Sequence, residues 1–95
     1  MVDKFTDDDE GYLLWINNNP DGFVVNIERS EQSGYVVLHR STCSSISCQR
    51  KDGAYTGRAY KKVVSNDLRK LRSYAKSIGR VNGSFSKQCS YCKPI

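Results

Sequence analysis

The sequence predicts an α+β fold, in which a small antiparallel sheet of about three strands packs against two helices. Three short runs rich in β-branched and aromatic residues have the composition of strands. Two other segments carry helix-capping and helix-ending residues at the expected distance from each other. The chain has 95 residues, which is the size of one domain, so we assign residues 1–95 to a single domain.

Two segments carry the helix signals. The first helix is predicted over about Asp7–Asn18, because Thr6 can cap it, carboxylates occupy its first turn and Pro20 follows it. The second helix is predicted over Asn66–Ile78, with Ser65 as its cap. Its apolar face consists of Leu68, Leu71, Ala75 and Ile78. The remaining surface of the second helix is strongly basic, so the apolar face should pack on the sheet.

Three segments are predicted to be strands, namely Phe23–Ile27, Tyr35–His39 and Tyr60–Val64. The polar connection between the first two is short, which favours an antiparallel hairpin. The segment Ser41–Gly57 has no clean periodicity and is rich in serine, glycine, lysine and arginine. We predict a long loop there, and long loops in compact domains are often functional.

The four cysteines and the single histidine form candidate ligand pairs. His39-x3-Cys43 follows the second predicted strand, and Cys89-x2-Cys92 lies near the end of the chain. Tetrahedral zinc is commonly bound by four such ligands, so we predict a structural zinc site that closes the fold. Cys48 also has acceptable spacing to Cys43, which leaves His39 or Cys48 as the fourth ligand; His39 is favoured because it ends a strand. Two disulfides are the alternative.

An aromatic strand ending in His39-x3-Cys43 is followed by a helix, a glycine and a Cys89-x2-Cys92 pair with Lys-Pro after it. This order resembles the Ada-type metal-binding domain, especially histidine-containing relatives that read roughly Y-H-x3-C … C-x2-C-x-P. The resemblance covers about residues 35–94 and implies zinc held by these four side chains. The long basic loop and the strand between the two pairs depart from the family pattern. The N-terminal helix and the first strand lie outside the pattern.

We expect no enzymatic activity. Four protein ligands leave no open position on the metal for water, and no glycine loop of the P-loop or Rossmann kind is present. The resemblance implies one alternative, because the Ada repair protein transfers a methyl group from DNA to a zinc-bound thiolate. Cys43 would then be a stoichiometric methyl acceptor. That activity belongs to all-cysteine sites, and thiolate reactivity depends on the charge environment.

The charge distribution predicts a polyanionic partner. Residues 1–31 contain eight acidic and two basic side chains, whereas residues 32–95 contain thirteen basic and two acidic ones. Basic side chains neutralise phosphates and aromatic rings stack on exposed bases. We therefore predict a nucleic-acid-binding module, with DNA favoured, such as a reader in a restriction or repair system. The predicted contact residues are Arg50, Lys51, Tyr55, Arg58, Lys61, Lys62, Arg69 and Arg72.

The acidic N-terminal segment supports an alternative function. It would be the contact surface of a protein-interaction adaptor, such as a phage or bacterial regulator. The N-terminus is acidic, so no signal peptide is predicted, and no apolar run is long enough to cross a bilayer. We expect a cytoplasmic protein without a membrane partner, in which reduced cysteines bind metal.

Overall fold

The computed structural model describes residues 2–31, 34–43, 56, 60–81 and 84–89. In these ranges the chain forms an α+β fold with two helices and a five-stranded mixed sheet. The strands are β1 (Asp3–Phe5), β2 (Phe23–Glu28), β3 (Val36–Arg40), β4 (Tyr60–Ser65) and β5 (Lys87–Gln88). The helices are α1 (Asp9–Asn18) and α2 (Leu68–Ser77).

The sheet differs from the predicted one in size and in strand direction. Its order is β1-β4-β2-β3-β5; the first three pairings are antiparallel, and β3 pairs with β5 in parallel. The prediction of about three antiparallel strands is therefore wrong. Strands β1 and β5 have three and two residues, which is too short to show an alternating pattern. The sheet is also open, with β1 and β5 at its edges.

The three longer strands coincide closely with the predicted segments and form the centre of the sheet. Strand β2 lies between β3 and β4, and it pairs with β3 from Phe23 opposite Arg40 to Ile27 opposite Val36. The expected antiparallel pairing of these two segments is therefore present. Its register matters for the site, because it fixes which side chains at the end of β3 share a face.

The two helices cover opposite faces of the sheet. Val24 packs in one apolar cluster with Tyr12 of α1, whereas the adjacent Val25 packs in a second cluster with Leu71 of α2. Successive strand residues point to opposite faces, so each helix must lie on its own side. We call these sides the α1 face and the α2 face. The predicted apolar face of α2 packs in the second cluster.

Both helices begin two residues later than predicted. Asp8 caps α1 and Asp67 caps α2, in place of Thr6 and Ser65, and each carboxylate accepts a hydrogen bond from a backbone N–H of the first turn. Within the described ranges, neither helix is long and apolar enough to cross a membrane.

Candidate metal centre

Three predicted ligands lie together in the protein interior. His39 is 7% exposed, Cys43 3% and Cys89 7%, and their ligand atoms all lie within 4.8 Å of one another. The two sulfur atoms are 3.7 Å apart. Two thiolates on one tetrahedral zinc would be about 3.8 Å apart, whereas a disulfide bond is about 2.05 Å long. The two cysteines are therefore not joined by a disulfide, and their sulfur atoms have the spacing of metal ligands.

The register of the parallel strands brings His39 beside Cys89. Val37 pairs with Lys87 and Leu38 with Gln88, so the next positions along β3 and β5 are His39 and Cys89. The ladder continues at this point, because the Cys89 N–H donates to the Leu38 carbonyl at 2.9 Å. Residues in register on neighbouring strands point to the same face of a sheet. The parallel pairing, which the sequence did not reveal, therefore brings Cys89 of the second ligand pair beside His39 of the first.

A turn after β3 supplies the third side chain. The Cys43 N–H donates to the Arg40 carbonyl at 3.0 Å, which closes a four-residue turn at the end of the strand. The turn folds Cys43 back into the α1-face cluster that also contains Cys89 and Val24. His39 lies opposite Val24 in the β2–β3 register, so all three ligands belong to the α1 face.

The protonation state of His39 suits a metal ligand. Burial, and to a smaller extent the ammonium of Lys62, lower the pKa of His39 to about 4. The imidazole is therefore neutral at pH 7 and keeps a lone pair for a metal ion. Burial also lowers the pKa of Lys62 to about 8, against the opposing effect of Asp9.

This cluster could hold a metal ion. Two sulfur donors and one imidazole nitrogen are typical of sites for zinc and similar borderline or soft metals. Cys92, predicted as the fourth ligand, and Cys48, its alternative partner for Cys43, lie outside the described residues. The structure thus brings together three of the four predicted ligands, including His39.

The predicted nucleic-acid contacts on β4 lie in the interior. Lys61 and Lys62 are 8% and 4% exposed. The Lys61 ammonium lies 3.2 Å from a Glu31 carboxylate oxygen, whereas Lys62 donates to the Asn26 side-chain oxygen at 2.8 Å. They point to opposite faces of a sheet that has a helix on each side, so they do not form a shared outer surface.

The two predicted contacts on α2 lie nearer the outside. The Arg69 side chain is 90% exposed and makes an ion pair with Asp67 at 3.1 Å. Arg72 is half-buried, with its guanidinium 5.4 Å from the ring centre of Phe85. The remaining predicted contacts lie outside the described residues and are Arg50, Lys51, Tyr55 and Arg58.

The acidic N-terminal segment has contacts within the fold. Asp7 makes an ion pair with Arg29 at 2.6 Å, which lowers the pKa of the Asp7 carboxyl. The Asp9 carboxylate accepts hydrogen bonds from the backbone N–H and the hydroxyl of Thr56, at 2.8 and 2.7 Å. Thr56 is fully buried, and its hydroxyl oxygen also accepts from the Asp8 N–H. This contact could not be predicted from the sequence, because a single threonine in a polar segment has no distinguishing pattern.

No protein-family model, curated protein or solved structure matches this chain. The resemblance to the Ada-type domain therefore stays a prediction that rests on the ligand motif. The case for a function depends on the geometry of the chain itself.

Proposed function

We propose that the protein is a nucleic-acid-binding module stabilised by a structural Zn²⁺. The ion would be bound by His39, Cys43, Cys89 and Cys92. The observation that carries the proposal is the buried His-Cys-Cys cluster, whose sulfur separation of 3.7 Å fits two ligands of one tetrahedral ion. A fourth protein ligand would saturate the ion, which makes its role structural rather than catalytic.

The position of the cluster supports a structural role. Cys43 and Cys89 are 46 residues apart, and an ion between them would tie the turn after β3 to the short edge strand β5. A small domain has a thin core, and metal binding adds directly to its folding free energy. The burial of both sulfur atoms also argues against the methyl-acceptor alternative, since an alkylated phosphate would have to reach one of them.

The distribution of charge supports nucleic acid as the partner. The N-terminus of α1 is acidic and lies on the α1 face, whereas α2 carries four basic residues and lies on the other face. These residues are Arg69, Lys70, Arg72 and Lys76. A basic surface on one side of a domain is the electrostatic signature of polyanion binding. DNA is the favoured polymer, as the Ada-type resemblance implies.

Native mass spectrometry tests the metal half of the proposal. The purified chain should carry one zinc ion, and a chelator should remove it and lower the stability of the fold. His39→Ala and Cys92→Ser should both lose the ion, whereas the matched control Cys48→Ser should keep it. Loss of zinc from Cys48→Ser but not from His39→Ala would show that the ligand set is wrong.

Fluorescence anisotropy tests the nucleic-acid half. Labelled DNA and RNA should bind to the zinc-loaded protein, and the affinity should fall steeply between about 50 and 200 mM salt, because binding releases counterions. Absence of binding to either polymer at the lower salt concentration would overturn this half. The adaptor alternative would then be tested by neutralising Asp7–Glu10 and comparing the proteins captured.

A further inference from the structure

An open groove lies between β1 and α2, on the α2 face of the sheet. Its volume is about 730 Å³, which is within the usual range of about 300–1,000 Å³ for small-molecule sites. Lys4, Arg69 and Lys70 contribute basic groups to its walls, while Val2 and the Tyr74 ring contribute apolar surface. The groove therefore combines cations with an apolar lining.

The position of the Tyr74 ring in this lining is fixed by two contacts. Its hydroxyl donates a hydrogen bond to the Glu31 carboxylate, and burial together with that bond raises the pKa of Tyr74. The Lys4 ammonium lies 5.0 Å from the centre of the same ring. Tyr74 is only 7% exposed, so the wall presents a small part of a fixed aromatic ring with the Lys4 ammonium beside it.

The ion pairs around the groove leave an excess of positive charge. Glu31 carries one negative charge but faces two ammonium groups, Lys4 at 3.3 Å and Lys61 at 3.2 Å. The Lys4 side chain is 47% exposed, and exposed ion pairs contribute only about 0–1 kcal/mol. A phosphate could therefore replace Glu31 as the partner of Lys4 at little cost.

The α2 side of the groove adds to this excess. Asp67 offsets the charge of Arg69 through its ion pair, and it also accepts the Arg69 backbone N–H as the cap of α2. Lys70 is exposed and follows directly in the helix. The lining thus contains three cations and one carboxylate, which favours an anionic occupant.

We propose that this groove binds single-stranded nucleic acid, with phosphates on Lys4, Arg69 and Lys70 and base surface against Val2 and the small exposed part of the Tyr74 ring. Single-strand sites combine cations along the backbone with apolar or aromatic surface for the bases. Reading a duplex instead requires an element that protrudes into a groove of the DNA. The inference rests on the proposed function and places it on Lys4 and Lys70, which the sequence pattern did not single out.

The test compares variants inside and outside the groove on the zinc-loaded protein. Lys4→Ala and Lys70→Ala should each weaken binding of labelled oligothymidylate and oligouridylate. Each variant should also lower the slope of log affinity against log salt by about 0.7, the value for one lost single-strand phosphate contact. Lys87→Ala is the matched control, because Lys87 is an exposed lysine of β5, at the opposite edge of the sheet, and does not line the groove. Thermal unfolding of each variant checks that the fold is kept.

The outcomes separate the two proposals. If nucleic acid binds but Lys4→Ala and Lys70→Ala behave like Lys87→Ala, the groove is not the site and the general function survives. A clear preference for duplex over both single strands would overturn the groove inference in the same way. If no polymer binds to the unaltered protein, the proposed function itself fails. Binding of only oligothymidylate or only oligouridylate supports the inference and shows which of these two single strands the groove accepts.

Discussion

Removal of the metal should loosen the β5 edge of the sheet before its centre. The segment from residue 84 to residue 89 contacts β3 through hydrogen bonds of Ser86 and Cys89, and Phe85 packs against the α2-face cluster. Ordering the backbone of six residues costs about 6–12 kcal/mol at about 1–2 kcal/mol each. The hydrogen bonds of Ser86 and Cys89 and those of the two ladder pairs with β3 each return about 0.5–1.5 kcal/mol, and partial burial of a phenylalanine returns about 2 kcal/mol at most. These gains are close to the entropic cost, so the segment is marginal without the ion.

Zinc binding through Cys89 adds a favourable term to the free energy of ordering the segment 84–89. At a free zinc concentration 1,000-fold above the dissociation constant, binding stabilises the folded state by about 4 kcal/mol. In a domain of this size, that corresponds to a rise of about 15–30 °C in Tm. We therefore expect chelation to lower Tm by this amount and to remove hydrogen-exchange protection from the segment 84–89 while β2 and β4 remain protected.

Hydrogen exchange with mass spectrometry, together with calorimetry, measures both effects. Cys89→Ser should match the chelated protein in Tm and in exchange of the segment 84–89. Cys48→Ser should match the zinc-loaded protein and serves as the control for loss of a thiol. Equal protection of this segment with and without chelator would refute the reasoning, since the metal would then add nothing to the β3–β5 contact.

Three further predictions concern the fold around the two sites. Leu71 is fully buried, so Leu71→Ala should lower the free energy of unfolding, measured by urea titration, by about 2–5 kcal/mol. The control Leu14→Ala changes an exposed residue and should stay within about 0.5 kcal/mol of the unaltered protein. Thr56→Val should lower the free energy of unfolding by about 1–3 kcal/mol, because the Asp9 carboxylate loses the hydroxyl donor. An unchanged midpoint of urea unfolding would contradict that role of Thr56. The Tyr74 hydroxyl and the two lysine ammonium groups lower the pKa of Glu31 from 4.5 to about 2. The unaltered protein should therefore be more stable than Glu31→Gln, with the full difference above pH 4.5 and a shrinking one as the pH falls towards 2. A stability difference independent of pH would disprove the lowered pKa of Glu31.

The central strands and both helices could be predicted because each carries a local pattern. The apolar face of α2 repeats at helical spacing, and β2 and β3 are runs of β-branched residues. Strands β1 and β5 carry no such pattern, since their residues become strands only by pairing with β4 and β3. Local signals cannot predict a pairing between segments that are distant in the chain.

The burial of Lys61 and Lys62 also could not be predicted from a local pattern. Two adjacent lysines indicate an exposed surface when the chain is considered one segment at a time. In the structure, β4 has a neighbouring strand on each side and a helix on each face, so every position from Lys61 to Ser65 is buried. Each ammonium then requires a specific partner, Glu31 on one face and Asn26 on the other. The sequence contains these partners, but their proximity depends on the register of the sheet.

The metal cluster and the groove lie at opposite edges of the sheet, so their effects should be separable. Strand β1 lines the groove, and three to four inter-strand spacings of about 4.8 Å separate it from β3 and β5, or roughly 14–19 Å. The Debye length at physiological salt is about 8 Å. The charge of a bound ion should therefore contribute little to phosphate binding in the groove. When a chelator is added at a temperature where circular dichroism shows α2 intact, single-strand affinity should be unchanged, and Lys70→Ala should still weaken it. A loss of affinity without a loss of helix would show that the metal acts on the polymer directly.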